Sequence, residues 1–401
     1  MKIYKIIYKS GWGKMLITYK TEIKPNPLQV IKIKQTIGVC RFIYNFYISE
    51  NQKAYKNNKP FITAFNFSKW LNNDFIPNNP DYLWIKDVSS KSVKQSIVYA
   101  ERAFKKFFKK KAKYPRFKKK NKSNVKMYFT RNNIKDCLCE RHRIKIPTLG
   151  WVRLKEKGYI PTSKDGYIVK SGTIEYKAGR YYISCLVNIE DPPKQNLNSF
   201  GLGIDLGLEK FAVVSNGNVY KNINKSKKII KLEKKLNREQ KCLSRKYEQL
   251  KNNKKGESTR KNLDKQKLKV QKIHFKLNNI RTDYINKTIN ELVKTKPAYI
   301  TIEDLNISGM IKNKYLSKSI KDQKFYEFRQ RILNKCNLYG IELRIADRFY
   351  PSSKTCHKCG NVKKDLKLSD RIYKCLICGE IIDRDLNASL NLRDTKSYKI
   401  A

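Results

Sequence analysis

Four cysteines near the C-terminus carry the clearest chemistry in this chain. The runs CHKCG and CLICG place them as Cys356-x2-Cys359-x15-Cys375-x2-Cys378. Each pair has chelating spacing, and two thiolate pairs across a short loop make a tetrahedral Zn²⁺ site. Gly360 and Gly379 allow the tight knuckle turns that carry both sulfurs of a pair round one ion. Four thiolates fill the coordination sphere, so this zinc is expected to be structural rather than a Lewis acid. His357, inside the first pair, is expected to be a neighbour of the site and not a ligand, and an iron–sulfur cluster is the weaker alternative at this spacing. The remaining cysteines, at 40, 137, 139, 185, 242 and 336, form no regular framework, which argues against a secreted disulfide scaffold. Cys137 and Cys139 beside His142 are too cramped, and lack a fourth ligand; they read as free thiols.

Carboxylates are the second chemical signal, because they are scarce: 34 Asp and Glu stand against 89 Lys and Arg. Asp205 follows the apolar run GLGI, and Glu303 follows AYITI. Both therefore sit at the ends of strands expected to be buried, where an unpaired carboxylate is costly. Asp385 starts the run DLNASLNL just past the second cysteine pair, two residues after Asp383. If the three converge at one edge of an α/β sheet, they would bind two Mg²⁺ or Mn²⁺ ions about 3.5–4 Å apart. Such ions activate water and stabilise the leaving oxygen in phosphodiester hydrolysis. Taken singly, a helix cap or a salt bridge is the competing role for each acid.

A net charge of +55 would repel itself unless a polyanion shares the field, so nucleic acid is the expected partner. A codon bias towards Lys, Asn, Ile and Tyr would explain Lys over Arg but not the deficit of acids. The stretch YPRFKKKNK is basic and aromatic; Tyr114, Arg116, Phe117, Lys118 and Lys119 are placed to follow a phosphate backbone and stack a base, with a plain solvated loop as the alternative. No apolar run is long enough to span a bilayer, and MKIYKIIYKSGWGKM lacks the apolar core of a signal peptide, so a cytoplasmic protein without membrane partners is expected.

The elements that must position these residues follow from periodicity. KIYKIIYK and KMLITYK alternate as a strand pair joined near Ser10 to Gly13. Residues 28–56 change period, and Leu28, Ile31, Ile37, Phe42, Ile43 and Phe46 predict one stripe of a helix. A second helix is expected over 88–111. HRIKIP, WVRLKE, GTIEYKAG and RYYISCLVNI return to short alternating runs, which with the first pair suggest a small β-barrel interrupted by helices. DPPKQNLN, 191–198, is the best linker. Beyond it come a strand, a Gly-rich turn, a strand and a hairpin turn at Asn216-Gly217. Residues 226–293 predict a helical hairpin broken near Asn252 to Gly256, packed through Leu232, Leu236, Leu243, Leu268, Ile273 and Leu277. TKPAYITIEDL, the helix Tyr326 to Gly340, and IELRIADRF then alternate strand and helix, which implies an α/β core.

The motifs IDLGLEKFAV, TIEDLNISGM, YPSSKTCHKCG, CLICG and DRDLNASLNL, in this order, resemble those of the transposon-encoded TnpB (OrfB) proteins of IS200/IS605-type elements, relatives of compact type V CRISPR effectors. TIGVCRFIYNFYI and YPRFKKK extend the resemblance into the first half. It implies a multidomain α+β chain: a wedge β-barrel from residues 1–30 and 125–195, with a helical recognition module at 31–124. An RNase H-like RuvC nuclease core, split over 199–355 and 380–401, would carry a zinc ribbon at 356–379. It further implies catalytic residues at Asp205, Glu303 and Asp385, holding Mg²⁺ or Mn²⁺, with Asp304 and Asp383 as neighbours and Asp383 as the runner-up for the third ligand. Partners would be a guide RNA derived from the element's end and double-stranded target DNA, with one protein monomer per guide and the protein reading shape and an adjacent motif. Arg281 and Lys335 would contact nucleic-acid backbone. The family often has His before Lys in the helix preceding its second motif; here that position is Asn286 before Lys287. A CRISPR-associated effector, or a guided binding protein that does not cut, are the alternatives.

Overall fold

The computed structural model describes residues 4–10, 14–120, 123–190, 196–252, 257–367 and 369–401. The chain forms two compact units, Met1–Asp191 and Pro192–Ala401, which meet inside the expected linker; residues 191–195 of that linker lie outside the described residues.

The first unit contains β1 (Tyr4–Ser10), β2 (Lys14–Lys24), α1 (Pro27–Lys56), α2 (Ala64–Trp70), α3 (Ile76–Asn78) and α4 (Ser90–Phe108). Then follow β3 (Met127–Thr130), β4 (Arg143–Ile146), β5 (Gly150–Leu154), β6 (Ile168–Lys177) and β7 (Arg180–Glu190). The strands run β3-β6-β7-β2-β5-β4, with β1 also paired to β2, in a curled sheet that makes half a barrel. The β1–β2 connection at residues 11–13 lies outside the described residues. β2 keeps β7 along one edge from Lys14 to Ile23, while its other edge pairs with β1 between Lys14 and Tyr19 and with β5 at Ile23 and Lys24, so that edge changes neighbour along its length.

α1 begins on a reciprocal cap. Asn26 Oδ1 accepts the Gln29 N–H at 2.8 Å and Gln29 Oε1 accepts the Asn26 N–H at 3.0 Å, with Pro27 in the first turn. Its buried seam of Val39, Ile43, Tyr44, Tyr47 and Ile48 packs on Phe67, Leu71, Ile97 and Phe104, and Ile33 is buried nearer its start. The stripe expected from Leu28 and Ile31 is corrected here. Leu28 is 71% and Ile31 52% exposed, because Val39 and the two tyrosines, not the first-turn aliphatics, face the neighbouring helices.

The second unit contains β8 (Gly201–Leu206), β9 (Lys210–Val214), β10 (Val219–Lys221), α5 (Lys227–Asn252), α6 (Glu257–Lys294) and β11 (Tyr299–Glu303). It continues through α7 (Ile307–Met310), α8 (Ser317–Gln323), α9 (Phe325–Tyr339) and β12 (Glu342–Ala346). It ends with β13 (Ile372–Lys374), β14 (Ile381–Asp383), α10 (Arg384–Asp394) and β15 (Tyr398–Ile400). One sheet runs β10-β9-β8-β11-β12-β15, with β8, β11 and β12 parallel and the outer strands antiparallel; β13 and β14 form a separate hairpin. α5 and α6 pack through Ile229, Leu236, Val270, Ile273 and Leu277, while Leu268 is only half-buried and outside that cluster. The expected break at Asn252 to Gly256 falls mostly on residues 253–256, outside the described residues.

The sheet's alternation separates two faces. Leu202, Ile204, Ile300, Ile302, Leu343 and Ile345 face a core completed by Ile285, Ile289 and Leu292 of α6 and Phe328 and Ile332 of α9. Each such fully buried side chain contributes about 1.5–3 kcal/mol. The opposite face of β8 carries Gly201, Gly203 and Asp205, and α10 lies against it. A Cβ at Gly203 would stand 1.9 Å from the Ser389 carbonyl oxygen and 2.4 Å from the Arg393 nitrogen. Only glycine permits this approach.

Candidate active site and metal centre

Strand register brings the first two acids together. β8 and β11 are parallel, with Gly203 opposite Thr301 and Ile204 opposite Ile302. One step further, Asp205 and Glu303 stand at neighbouring strand ends on the face away from the apolar core. α10 brings the third. From Gly203 to Asp205 the strand advances two residues, about 6.6 Å. From Ser389, which touches Gly203, back to Asp385 the helix retreats four residues, about 6 Å. The matched steps set Asp385 beside Asp205.

The charges respond to this crowding. Burial, then the neighbouring Glu303 and Asp385 carboxylates, push Asp205 well above the ordinary aspartate range. Burial also raises Glu303, opposed by the hydrogen bond that Ser352 Oγ donates to Glu303 Oε1 at 2.7 Å. Lys210 Nζ lies 3.5 Å from Asp385 Oδ2 and Arg384 Nη2 lies 3.6 Å from Asp385 Oδ1, a partial balance of three anionic groups. Carboxylate oxygens are the donors a hard divalent cation takes, while among the described residues only the four cysteines bring three or more such ligand atoms within 4.8 Å of one another.

The adjacent acids are committed elsewhere. Asp383 caps α10: its Oδ1 accepts the N–H groups of Asp385 and Leu386, each at 3.0 Å, and its Oδ2 accepts from Lys210 Nζ at 2.8 Å. Burial would raise Asp383, but Lys210 and the two N–H donors hold it below its ordinary value. Asp304 pairs with Arg329 at 2.8 Å and Arg348 at 2.7 Å.

The four cysteines do meet. All four Sγ atoms lie within 4.8 Å of one another, with Cys356–Cys378 at 3.6 Å and Cys359–Cys375 at 3.5 Å. Tetrahedral thiolates at zinc–sulfur bond length stand about 3.8 Å apart, so the donors fit a Zn²⁺-sized ion. The two knuckles repeat one geometry. Gly360 N–H bonds the Cys356 carbonyl and Gly379 N–H the Cys375 carbonyl, with φ of +77° and +70° at the glycines. N–H groups of Cys378 and Ile377 help to lower the Cys375 thiol to about 6. His357 Nδ1 faces Asp394 at 3.6 Å and stands apart from the cysteine cluster. Cys137 and Cys139 are buried, unbridged thiols.

The candidate nucleic-acid residues divide. Tyr114 and Phe117 are exposed, Tyr114 packing edge-on against Phe104 and Phe107, and Arg116 and Lys119 are exposed beside them. Asn121 and Lys122 at the end of the loop lie outside the described residues. Lys118 is pinned: its backbone and Asn45 exchange two hydrogen bonds, and its ammonium sits 3.8 Å from the Tyr44 ring centre. Arg281 is placed otherwise than expected. It is 12% exposed, and its guanidinium is spent on Glu233, Asp322 and Asn224, which makes it an internal brace of the α5–α6 hairpin. Lys335 is half-buried near the Tyr339 ring, and Asn286 accepts a hydrogen bond from Arg331. Ser352, Lys210, Asn387 and Asn391 were not singled out from sequence; their partners lie far along the chain, and no local spacing marks them.

Three family models match: "Probable transposase" of the OrfB/IS605 type over residues 184–314, "Cas12f1-like, TNB domain" over 325–392, and "Helix-turn-helix domain" over 15–60. The chain is 29% identical over 394 residues to "Putative RNA-guided DNA endonuclease InsQ" of Escherichia coli K12, covering 94% of this chain and 92% of that one. A Streptomyces pristinaespiralis protein described in the same terms is 28% identical over 381 residues, covering 93% and 88%. Over nearly its whole length the chain is similar to proteins of the TnpB (OrfB) type, relatives of the Cas12f effectors. The segment matched as helix-turn-helix folds as β2 and the single long α1. The fold matches the cryo-EM structure of a Cas12f1–sgRNA–target DNA complex with TM-score 0.55 at 15% identity, over 92% of this chain and 83% of that chain. Among the described residues no helix is long and apolar enough to cross a membrane.

Proposed function

We propose that this chain is an RNA-guided, divalent-metal-dependent DNA endonuclease that hydrolyses phosphodiester bonds of target DNA beside a short recognised motif. The observation that carries the reading is the meeting of Asp205, Glu303 and Asp385 on one face of the β8–β11 sheet, beneath α10. The sheet order and the helix across it support an RNase H-like RuvC core over 199–355 and 380–401. The cysteine cluster supports a zinc ribbon at 356–379, with Zn²⁺ in a structural role. The curled first sheet with inserted helices supports a wedge barrel from 1–30 and 125–195 carrying a recognition module at 31–124.

Asp205, Glu303 and Asp385 would hold Mg²⁺ or Mn²⁺, which supplies activation of water and charge stabilisation at the scissile phosphate. The chain's own residues prepare that site. Asp383 fixes the start of α10, so the Asp385 carboxylate has a defined position. Lys210 and Arg384 tether Asp385 and limit repulsion before metal arrives. The net charge of +55 retains guide RNA and target DNA, with Tyr114, Arg116, Phe117 and Lys119 as exposed contacts. The match to the OrfB/IS605 model and the near full-length relatives favour a transposon-encoded protein over a CRISPR effector, acting in a bacterial cytoplasm as a monomer on each guide.

The test is to express the chain with its flanking DNA and sequence the RNA that co-purifies. Cleavage of a matched duplex in Mg²⁺ is then assayed. RNA from the element's end and guide-directed cleavage are expected. Cutting retained by purified Asp205→Ala overturns the site assignment.

A further inference from the structure

The two asparagines of DLNASLNL hold a structural link between the cysteine cluster and Glu303. Asn387 is fully buried; its Oδ1 accepts the His357 N–H at 3.0 Å and its Nδ2 donates to the Thr355 carbonyl at 2.7 Å. Asn391 Nδ2 donates to the same Thr355 carbonyl at 2.7 Å and to the Ser352 carbonyl at 2.8 Å. Thr355 immediately precedes the first cysteine of the ribbon. Ser352, itself buried, has its N–H on the Tyr350 carbonyl at 2.8 Å and points its hydroxyl at Glu303 Oε1, 2.7 Å away. Buried amides are costly unless paired, so these bonds hold the segment 352–357 on α10 at a defined height. The helix that presents Asp385 therefore also sets the residue that orients Glu303.

We infer that Ser352 is a positioning residue: its hydroxyl holds Glu303 in the rotamer that ligates metal, and Asn391 ties Ser352 to the first knuckle of the ribbon. The inference rests on the proposed reading of the three carboxylates as metal ligands. A carboxylate oxygen engaged by a fixed hydroxyl cannot swing away when metal is absent, so the second oxygen stays presented. Nothing in the local sequence PSSK distinguishes Ser352 from Ser353; the fold does.

The test measures Mn²⁺ binding by electron paramagnetic resonance on the full-length, zinc-loaded chain stripped of nucleic acid, with Glu303→Gln as the reference for a lost site. Ser352→Ala is expected to raise the Mn²⁺ Kd roughly tenfold while zinc content stays unchanged. Ser352→Thr, which keeps the hydroxyl, is expected to restore it to within roughly twofold, and Asn391→Ala to give a smaller loss than Ser352→Ala. In guided cleavage, Ser352→Ala should shift the metal concentration for half-maximal rate, with the rate at saturating metal little changed. Wild-type Mn²⁺ affinity in Ser352→Ala, or no rescue by Thr, overturns the inference while leaving the carboxylate site standing. Wild-type binding no tighter than Glu303→Gln overturns both.

Discussion

The two candidate metal sites of the second unit are built in opposite ways. The cysteine site draws its donors from a short segment, Cys356 to Cys378, folded by two like turns and a small hairpin. The carboxylate site draws on residues 205, 303 and 385, joined only by strand register and by a helix that crosses at Gly203. Four soft thiolates would enclose one ion and leave no open position, which suits a folding role. The crowded carboxylates raise the Asp205 carboxyl, and on the proposed reading a hard cation would relieve that repulsion and supply the chemistry. On the proposed reading one site contributes to the stability of its surroundings, and the other draws on it.

The largest expected effect separates two adjacent acids. Asp385→Asn should reduce guided DNA cleavage by roughly 10³-fold or more, whereas Asp383→Asn, which still caps α10, should cost less than about tenfold. Equal losses in single-turnover assays would erase the distinction between ligand and cap. Next comes the cysteine site. Cys375→Ser should drop zinc below one ion per chain and sharply reduce folded yield, because structural zinc binding of about 10–16 kcal/mol is folding free energy. Zinc content by mass spectrometry and circular dichroism after chelation check this.

A third substitution strikes the crossing itself. Gly203→Val places a side chain where Ser389 and Arg393 already stand, and should cost about 1–3 kcal/mol in denaturant unfolding while reducing cleavage more than that stability loss explains. The smallest effect is a pH dependence. In the metal-free fold Asp205 and Glu303 are raised, by burial first and for Asp205 also by the neighbouring carboxylates. The folded state then holds more protons than the unfolded one, whose carboxyls titrate near about 4, so stability falls as pH rises from there through the folded values. Asp205→Asn should flatten that slope and raise Tm near neutral pH by roughly 2–4 °C without metal. It should also remove the stabilisation by Mg²⁺ expected of the parent protein, measured by thermal melts across pH.

The sequence alone determined whatever depends on neighbours in the chain. The knuckle spacing with its glycines, the linker near 191–198, the alternation of strands and helices, and the Asn216-Gly217 turn all report short-range constraints, which periodicity and backbone conformation express directly. Tertiary structure decided which face each residue joins. It turned Leu28 and Ile31 of α1 outward, enclosed Arg281 among Glu233, Asp322 and Asn224, and pinned Lys118 over Tyr44. It also gave Asp383 to the helix cap and left Asp385 beside Asp205, and it chose Ser352 over Ser353 to meet Glu303. Most of these outcomes depend on sheet register and helix crossing between segments well separated in the chain, where a single glycine sets the approach of α10 and no local pattern records the partner.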